Sequence, residues 1–277
     1  MTPTISIKGE LHTFLSPKVM GIINTTPDSF FSLSRTSEST SITERVERMI
    51  EVGVDYFDVG GYSSRPGASD ISADEEYSRL APALDIIRKL SPETPVSIDT
   101  FRASVARKCI EEWGVEIIND IAGGTLDPEM WETVAEHKVA YILMHLRGIP
   151  ATMQQFTDYK DVVAEVLSDL AFKIASLRQL GVADIIVDPG FGFAKTVDQN
   201  FRLLSSLRVF RETGCPVLAG LSRKSMIWKT LGSSPEEALN GTTALNMAAL
   251  MNGADILRVH DVAEARECVT LYDKLNP

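Results

Sequence analysis

The chain has 277 residues, 44% of them hydrophobic and 23% charged, so it can bury a large core without disulfide staples. Its formal net charge of −11 repels phosphate backbones and anionic lipid, which argues against nucleic-acid and membrane-surface binding. An anionic small-molecule substrate would need a local cluster of Lys and Arg to hold it.

The first residues, MTPTISIKGELHTF, have neither the basic flank nor the apolar core of a signal peptide. No run reaches the roughly 20 apolar residues of a membrane helix. Cys109, Cys215 and Cys268 form no C-x-x-C pair and read as buried apolar residues in a reducing compartment. A cytoplasmic protein is expected.

Ile5–Phe14 alternates as a small hairpin, placed to plug the bottom of whatever follows. Short apolar runs rich in β-branched residues then recur at Val19–Asn24, Tyr56–Gly61, Val96–Thr100, Glu116–Ile121, Ala140–His145, Asp184–Asp188, Pro216–Ser222 and Asp255–His260. Runs this short, without polar alternation, predict parallel strands covered on both faces. Amphipathic stretches separate them. The clearest is Asp161–Gly181, with Val163, Val166, Leu167, Leu170, Ile174 and Leu177 at helical steps.

Thr43, Ser72 and Asp127 are candidate helix caps, and Gly53, Gly114, Gly181, Gly214 and Gly253 end helical stretches. Eight strand–helix units predict a (β/α)8 barrel over residues 16–277, after a hairpin over residues 1–15. An open doubly wound sheet fits the count and length less well, and no composition break suggests a second domain.

Barrel enzymes work where the βα loops converge, at the C-terminal ends of the strands. These exits carry Asn24, the Y-S-S-R-P-G run after Asp58, Asp99, Asn119 with Asp120, His145, Asp188, S-R-K-S and R-V-H-D. Burying such groups without partners costs several kcal/mol each. Any single one could cap a helix, but two carboxylates, a lysine and two arginines on one mouth describe a binding site.

Asp99, Asn119 and Asp188 suit a flat heterocycle with several N–H groups, stacked on Ile121, Met144 or Phe193 and contacted by Lys224. Ser64, Arg65, Arg258 and His260 form the positive cluster for an anion. G-F-G-F-A-K lacks the third glycine of a dinucleotide fingerprint, and G-L-S-R-K-S lacks Walker spacing. No His/Cys set has zinc spacing, and His12 and His137 read as surface or packing residues.

Over nearly its whole length the chain resembles the dihydropteroate synthases, the folate-pathway enzymes inhibited by sulfonamides. The resemblance is carried by V-M-G-I-I-N-T-T-P-D-S-F, D-V-G-G-Y-S-S-R-P-G, S-I-D-T, I-I-N-D-I, L-M-H-L-R-G-I-P-A-T-M-Q, D-P-G-F-G-F-A-K, S-R-K-S and R-V-H-D-V. It implies that 4-aminobenzoate displaces pyrophosphate from (7,8-dihydropterin-6-yl)methyl diphosphate, giving 7,8-dihydropteroate.

By the same resemblance Asp99, Asn119, Asp188 and Lys224 bind the pterin, with Met144 beneath the ring and Phe193 beside it. Ser64, Arg65, Arg258, Val259 and His260 surround the diphosphate. Phe30, Ser64, Arg65, Pro66, Lys224 and Ser225 lie where the family holds 4-aminobenzoate, and Asn24 where it contacts magnesium. Asp99, Lys224, Arg258, His260 and Arg65 would carry the chemistry. Paired subunits are expected.

Two departures stand out. Ser64 replaces the usual Thr, one methyl fewer, which implies a small change in sulfonamide affinity. The first loop reads F-F-S-L-S-R-T-S, where many members have a glycine-rich turn. Two other readings compete. A pterin-binding methyltransferase serving a corrinoid protein would have no use for the diphosphate cluster. A non-catalytic pterin-binding module would be expected to lose Asn24, Arg65 or His260.

Overall fold

The computed structural model describes residues 2–26, 35–63 and 70–276, with backbone alone for 35–40. Strands β1 (Thr4–Ile7) and β2 (Glu10–Thr13) pair antiparallel as the expected hairpin. Eight parallel strands follow: β3 (Lys18–Asn24), β4 (Tyr56–Gly60), β5 (Val96–Asp99), β6 (Ile117–Asp120), β7 (Ala140–Met144), β8 (Ile185–Asp188), β9 (Leu218–Ala219) and β10 (Ile256–Val259).

Each strand pairs with its neighbours in chain order, and β10 lies between β3 and β9. A bridge between Val187 and Val217 joins β8 to the start of the β9 run and closes the ring. The seventh strand is therefore far shorter than its apolar run suggests.

Helices α1 (Arg35–Glu51), α2 (Ala73–Leu90), α3 (Ala103–Trp113), α4 (Met130–His137), α5 (Val162–Gln179) and α6 (Val197–Ser205) follow β3 to β8 in turn. Two helices, α7 (Ser225–Leu231) and α8 (Leu239–Met251), follow β9, and α9 (Val262–Leu275) follows β10.

The period-2 geometry of a strand sorts its side chains between two cores. Outward residues such as Val19, Phe57, Val59, Ile98, Ile118, Leu143, Val187 and Leu257 pack against the helices. Inward residues Met20, Tyr56, Ile117, Ile142, Ile186, Leu218 and Ile256 form an apolar floor inside the barrel, sealed by Ile5, Ile7 and Phe14 of the hairpin. The plug is tied down where Ser6 N donates to Asp184 Oδ1 at 2.6 Å.

Ser72 caps α2, accepting from Glu75 N at 3.1 Å. Thr43 lies inside α1, which already begins at Arg35, instead of capping it. Asp127 serves two elements: Oδ1 accepts from Glu129 N at 3.0 Å before α4, and Oδ2 accepts from Ala103 N at 2.8 Å at the start of α3. The five expected helix-terminal glycines all have positive φ. All three cysteines are free and buried.

Candidate active site

Above the apolar floor most inward positions become polar. They are Asn24 on β3, Asp58 on β4, Asp99 on β5, Asn119 on β6, Asp188 on β8 and Arg258 on β10, followed by His260 just past β10. Register fixes their proximity, since Asn24 pairs with Gly60, Gly60 with Asp99 and Asp99 with Asn119. Gly60 thus sits between Asn24 and Asp99, and a Cβ there would lie 3.7 Å from Asn24 Oδ1 and 3.5 Å from Asp99 Cβ.

Arg258 is the hub. Its Nε donates to Asp58 Oδ2 at 2.6 Å, and its Nη2 lies 2.5 Å from the same oxygen and 2.6 Å from Asp99 Oδ2. Asp58 also accepts from Asn119 Nδ2 at 3.2 Å. The paired carboxylates hold the guanidinium protonated although burial opposes it. Burial, only partly offset by Arg258, raises the Asp99 carboxyl to about 7, with Asp58, Glu76 and Asp120 adding to the rise.

Across the mouth, Asp188 Oδ1 accepts from Gly190 N at 2.7 Å, and burial raises its pKa despite the nearby Lys224. Lys224 Nζ donates to the Phe191 carbonyl and lies 4.7 Å from the centre of the Phe193 ring. Burial lowers this ammonium to about 8, against the pull of Asp188. A Cβ at Gly220 would be 3.7 Å from Asp188 Oδ2 and 3.9 Å from Lys224 Nζ, so the two side chains share one corner. Ile121, Met144 and Phe193 join Leu146, Met153 and Ala194 in one apolar cluster, and Phe193 carries it to Lys224.

Val259 and His260 follow Arg258 at the end of β10. Val259 is fully buried in the outer core, because alternation along β10 turns it away from the face that carries Arg258. Burial, reinforced by Arg258, lowers His260 to about 3, and its Nδ1 lies 2.9 Å from Ser222 Oγ. Ser225 begins α7 directly after Lys224. Phe30, Ser64, Arg65 and Pro66 lie outside the described residues.

On either side of residues 64–69 the chain is anchored. Arg102 pairs with Asp70 at 2.9 Å and with buried Glu76, and its guanidinium lies 5.1 Å from the Tyr62 ring centre and 4.9 Å from that of Phe101.

Sequence reasoning missed Lys195. Its Nζ is buried between the Gly190 and Phe193 carbonyls, each at 3.0 Å, and His145 Nδ1 at 3.1 Å. Three acceptors suit an ammonium. Burial nonetheless lowers its pKa to about 7, and that of His145 to about 2. This contact ties the β7 exit to the loop bearing Phe191 and Phe193. The available signal was a lysine placed where the chain should be buried.

Among the described residues no group of three or more His, Cys, Asp and Glu could hold a metal ion. Asn24 offers one neutral oxygen at the mouth. That donor set fits a magnesium ion arriving with substrate phosphates and waters, and does not fit an all-protein cage.

A closed barrel that gathers carboxylates, an amide, a buried lysine and an arginine at the C-terminal ends of its strands has the form of a barrel enzyme. Residues 20–260 match the pterin binding enzyme family. A dihydropteroate synthase from Synechocystis sp. is 42% identical over 93% of this chain and 89% of its own length. One from Escherichia coli is 40% identical over 93% of this chain and 91% of its own. The structure of Xanthomonas albilineans dihydropteroate synthase with 4-aminobenzoic acid superposes with a TM-score of 0.89 at 35% identity, covering 100% of this chain and 99% of that one. The chain belongs to the pterin binding enzymes and, within them, to the dihydropteroate synthase family.

Proposed function

We propose that the chain condenses 4-aminobenzoate with (7,8-dihydropterin-6-yl)methyl diphosphate to give 7,8-dihydropteroate and pyrophosphate. The observation that supports this most directly is the meeting of Asp99, Asn119, Asp188, Lys224 and Arg258 at one mouth. Asp99, Asn119 and Asp188 accept from the ring N–H groups, and Lys224 donates to the ring carbonyl or a ring nitrogen. Ile121, Met144 and Phe193 lie against its face.

The methylene C–O bond breaks with its electron pair leaving on pyrophosphate, and the amine nitrogen forms the new C–N bond and loses a proton. An aryl amine is a weak nucleophile, so departure leads attack. Arg258 Nη1, which makes no hydrogen bond among the described residues, receives the departing oxygen. His260, neutral, donates a hydrogen bond to it, and Asp99 stabilises the cationic methylene left behind. Arg65 adds positive charge, and Phe30, Ser64, Pro66 and Ser225 hold the aminobenzoate. Magnesium held by Asn24 and the diphosphate would neutralise part of the phosphate charge.

The working unit is a homodimer formed through the later helices. In support, α8 is built almost wholly of small and apolar residues, and Leu231 and Met251 are 60% and 47% exposed. Free cysteines favour a cytoplasmic location, and no described helix is long and apolar enough to cross a membrane.

Incubating the protein with the pterin diphosphate, 4-aminobenzoate and magnesium tests the reading. Dihydropteroate and pyrophosphate should appear in equal amounts. Failure of both to form, with the protein folded, overturns it. The corrinoid methyltransferase reading has no observation in its favour.

A further inference from the structure

Asp58 does not stand at a strand exit, and the reaction gives it no direct task. It lies one inward position below the mouth, flanked on its strand by Tyr56 in the apolar floor and Gly60 at the rim. It is fully buried. Its Oδ2 accepts from Arg258 Nε at 2.6 Å and from Asn119 Nδ2 at 3.2 Å, and lies 2.5 Å from Arg258 Nη2. Its Oδ1 has no hydrogen-bond partner among the described residues.

Stability does not call for this arrangement. A buried ion pair is on balance often neutral or worse than apolar residues of the same volume, and an orphaned buried oxygen adds a further cost. The floor beneath could simply rise by one apolar layer.

The arrangement instead fixes the direction of two groups that would meet the ligand. A carboxylate paired with a guanidinium only accepts hydrogen bonds. Asn119 must therefore turn its NH2 towards Asp58, which leaves its carbonyl Oδ1 as the group available to a ligand N–H. A free amide could rotate and offer either end. Arg258 is likewise drawn inward by Nε and Nη2, leaving Nη1 uncommitted among the described residues.

We propose that Asp58 is a positioning residue for substrate recognition, setting which end of the Asn119 amide meets the pterin and which edge of Arg258 meets the diphosphate. This rests on the pterin diphosphate reading above. Asp58 touches neither ligand; it acts through the two side chains that do.

The test uses Asp58→Asn, Asn119→Ala and the double variant, each titrated with 6-hydroxymethyl-7,8-dihydropterin, which carries no diphosphate. Each single substitution should weaken binding about tenfold, the scale of one hydrogen bond to a charged group. The double variant should be no weaker than the worse single one, because Asp58 acts on the ring through Asn119. In turnover, Asp58→Asn should raise KM for the pterin diphosphate about tenfold or more, while KM for 4-aminobenzoate stays within twofold.

Losses that multiply in the double variant, or ring binding by Asp58→Asn within twofold of wild type, would overturn the proposal. If Asp58→Asn does not fold, the side-chain amide protons of Asn119 in the wild-type protein answer instead. They should be protected from exchange with solvent before ligand is added and remain so afterwards. Fast exchange in the free protein would overturn it. A wild-type protein that neither binds the pterin nor turns over defeats the functional reading, whereas an active wild type matched by Asp58→Asn defeats this inference alone.

Discussion

Gly190 has φ +73°, and a Cβ there would lie 2.1 Å from the His145 carbonyl oxygen. Both the left-handed backbone and the contact with a main-chain atom leave little room for relief, so Gly190→Ala should destabilise the protein by more than about 2 kcal/mol. Denaturant unfolding would read this as a lower midpoint at unchanged slope, and an unchanged midpoint would refute it. Lys224 bridges the Phe191 carbonyl and the Phe193 face beside Asp188. Lys224→Ala should weaken pterin binding at least tenfold, since a buried charge-assisted contact contributes roughly 1.5–3 kcal/mol. Calorimetric titration checks it, and full turnover by this variant would remove Lys224 from the site.

The hairpin β1–β2 is held at the barrel floor by Ile5 and Ile7, 1% and 3% exposed, and by Phe14. Ile5→Ala should therefore cost about 2–5 kcal/mol, the range for opening a cavity in a packed core. A fall in melting temperature, with KM values preserved in the folded fraction, is the expected result. Equal stability of variant and wild type would show that the plug does not seal the floor.

Helix starts were less legible than strand exits. Ser72 caps α2 as expected, whereas Thr43 lies inside α1 and Asp127 links α3 to the turn before α4. A capping side chain also suits a turn or a neighbouring helix, and local sequence cannot say which of these the fold will place nearby.

His145 links local burial to the pH response of the whole molecule. Its folded pKa of about 2 lies below the ordinary 6.5, so between those values the unfolded chain binds a proton that the folded chain does not. Stability contributed by the neutral ring is present above 6.5 and is lost as pH falls; at pH 5 the loss is about 2 kcal/mol. Asp99, raised from 3.8 to about 7, acts in the opposite sense over its own window, so wild type alone does not isolate the effect. Between pH 7 and 5, wild type should lose about 2 kcal/mol more than His145→Gln in urea unfolding. Parallel pH curves would refute the assignment.

The order of units, the eight-strand count, the plugging hairpin and the polar strand exits were all readable in the linear chain. Each depends on short-range periodicity, on which residues alternate and where an apolar run stops. Tertiary structure decided the partnerships. Asp58 meets Asn119 and Arg258 because the closed ring brings β4, β6 and β10 to one axis. Lys195 found three acceptors because the loop after β8 folds over the β7 exit. Burial and Arg258 hold the His260 imidazole towards its neutral form. Local pattern sets which face of an element a residue occupies, but its charge state and its partners depend on what the distant chain brings within a few ångströms.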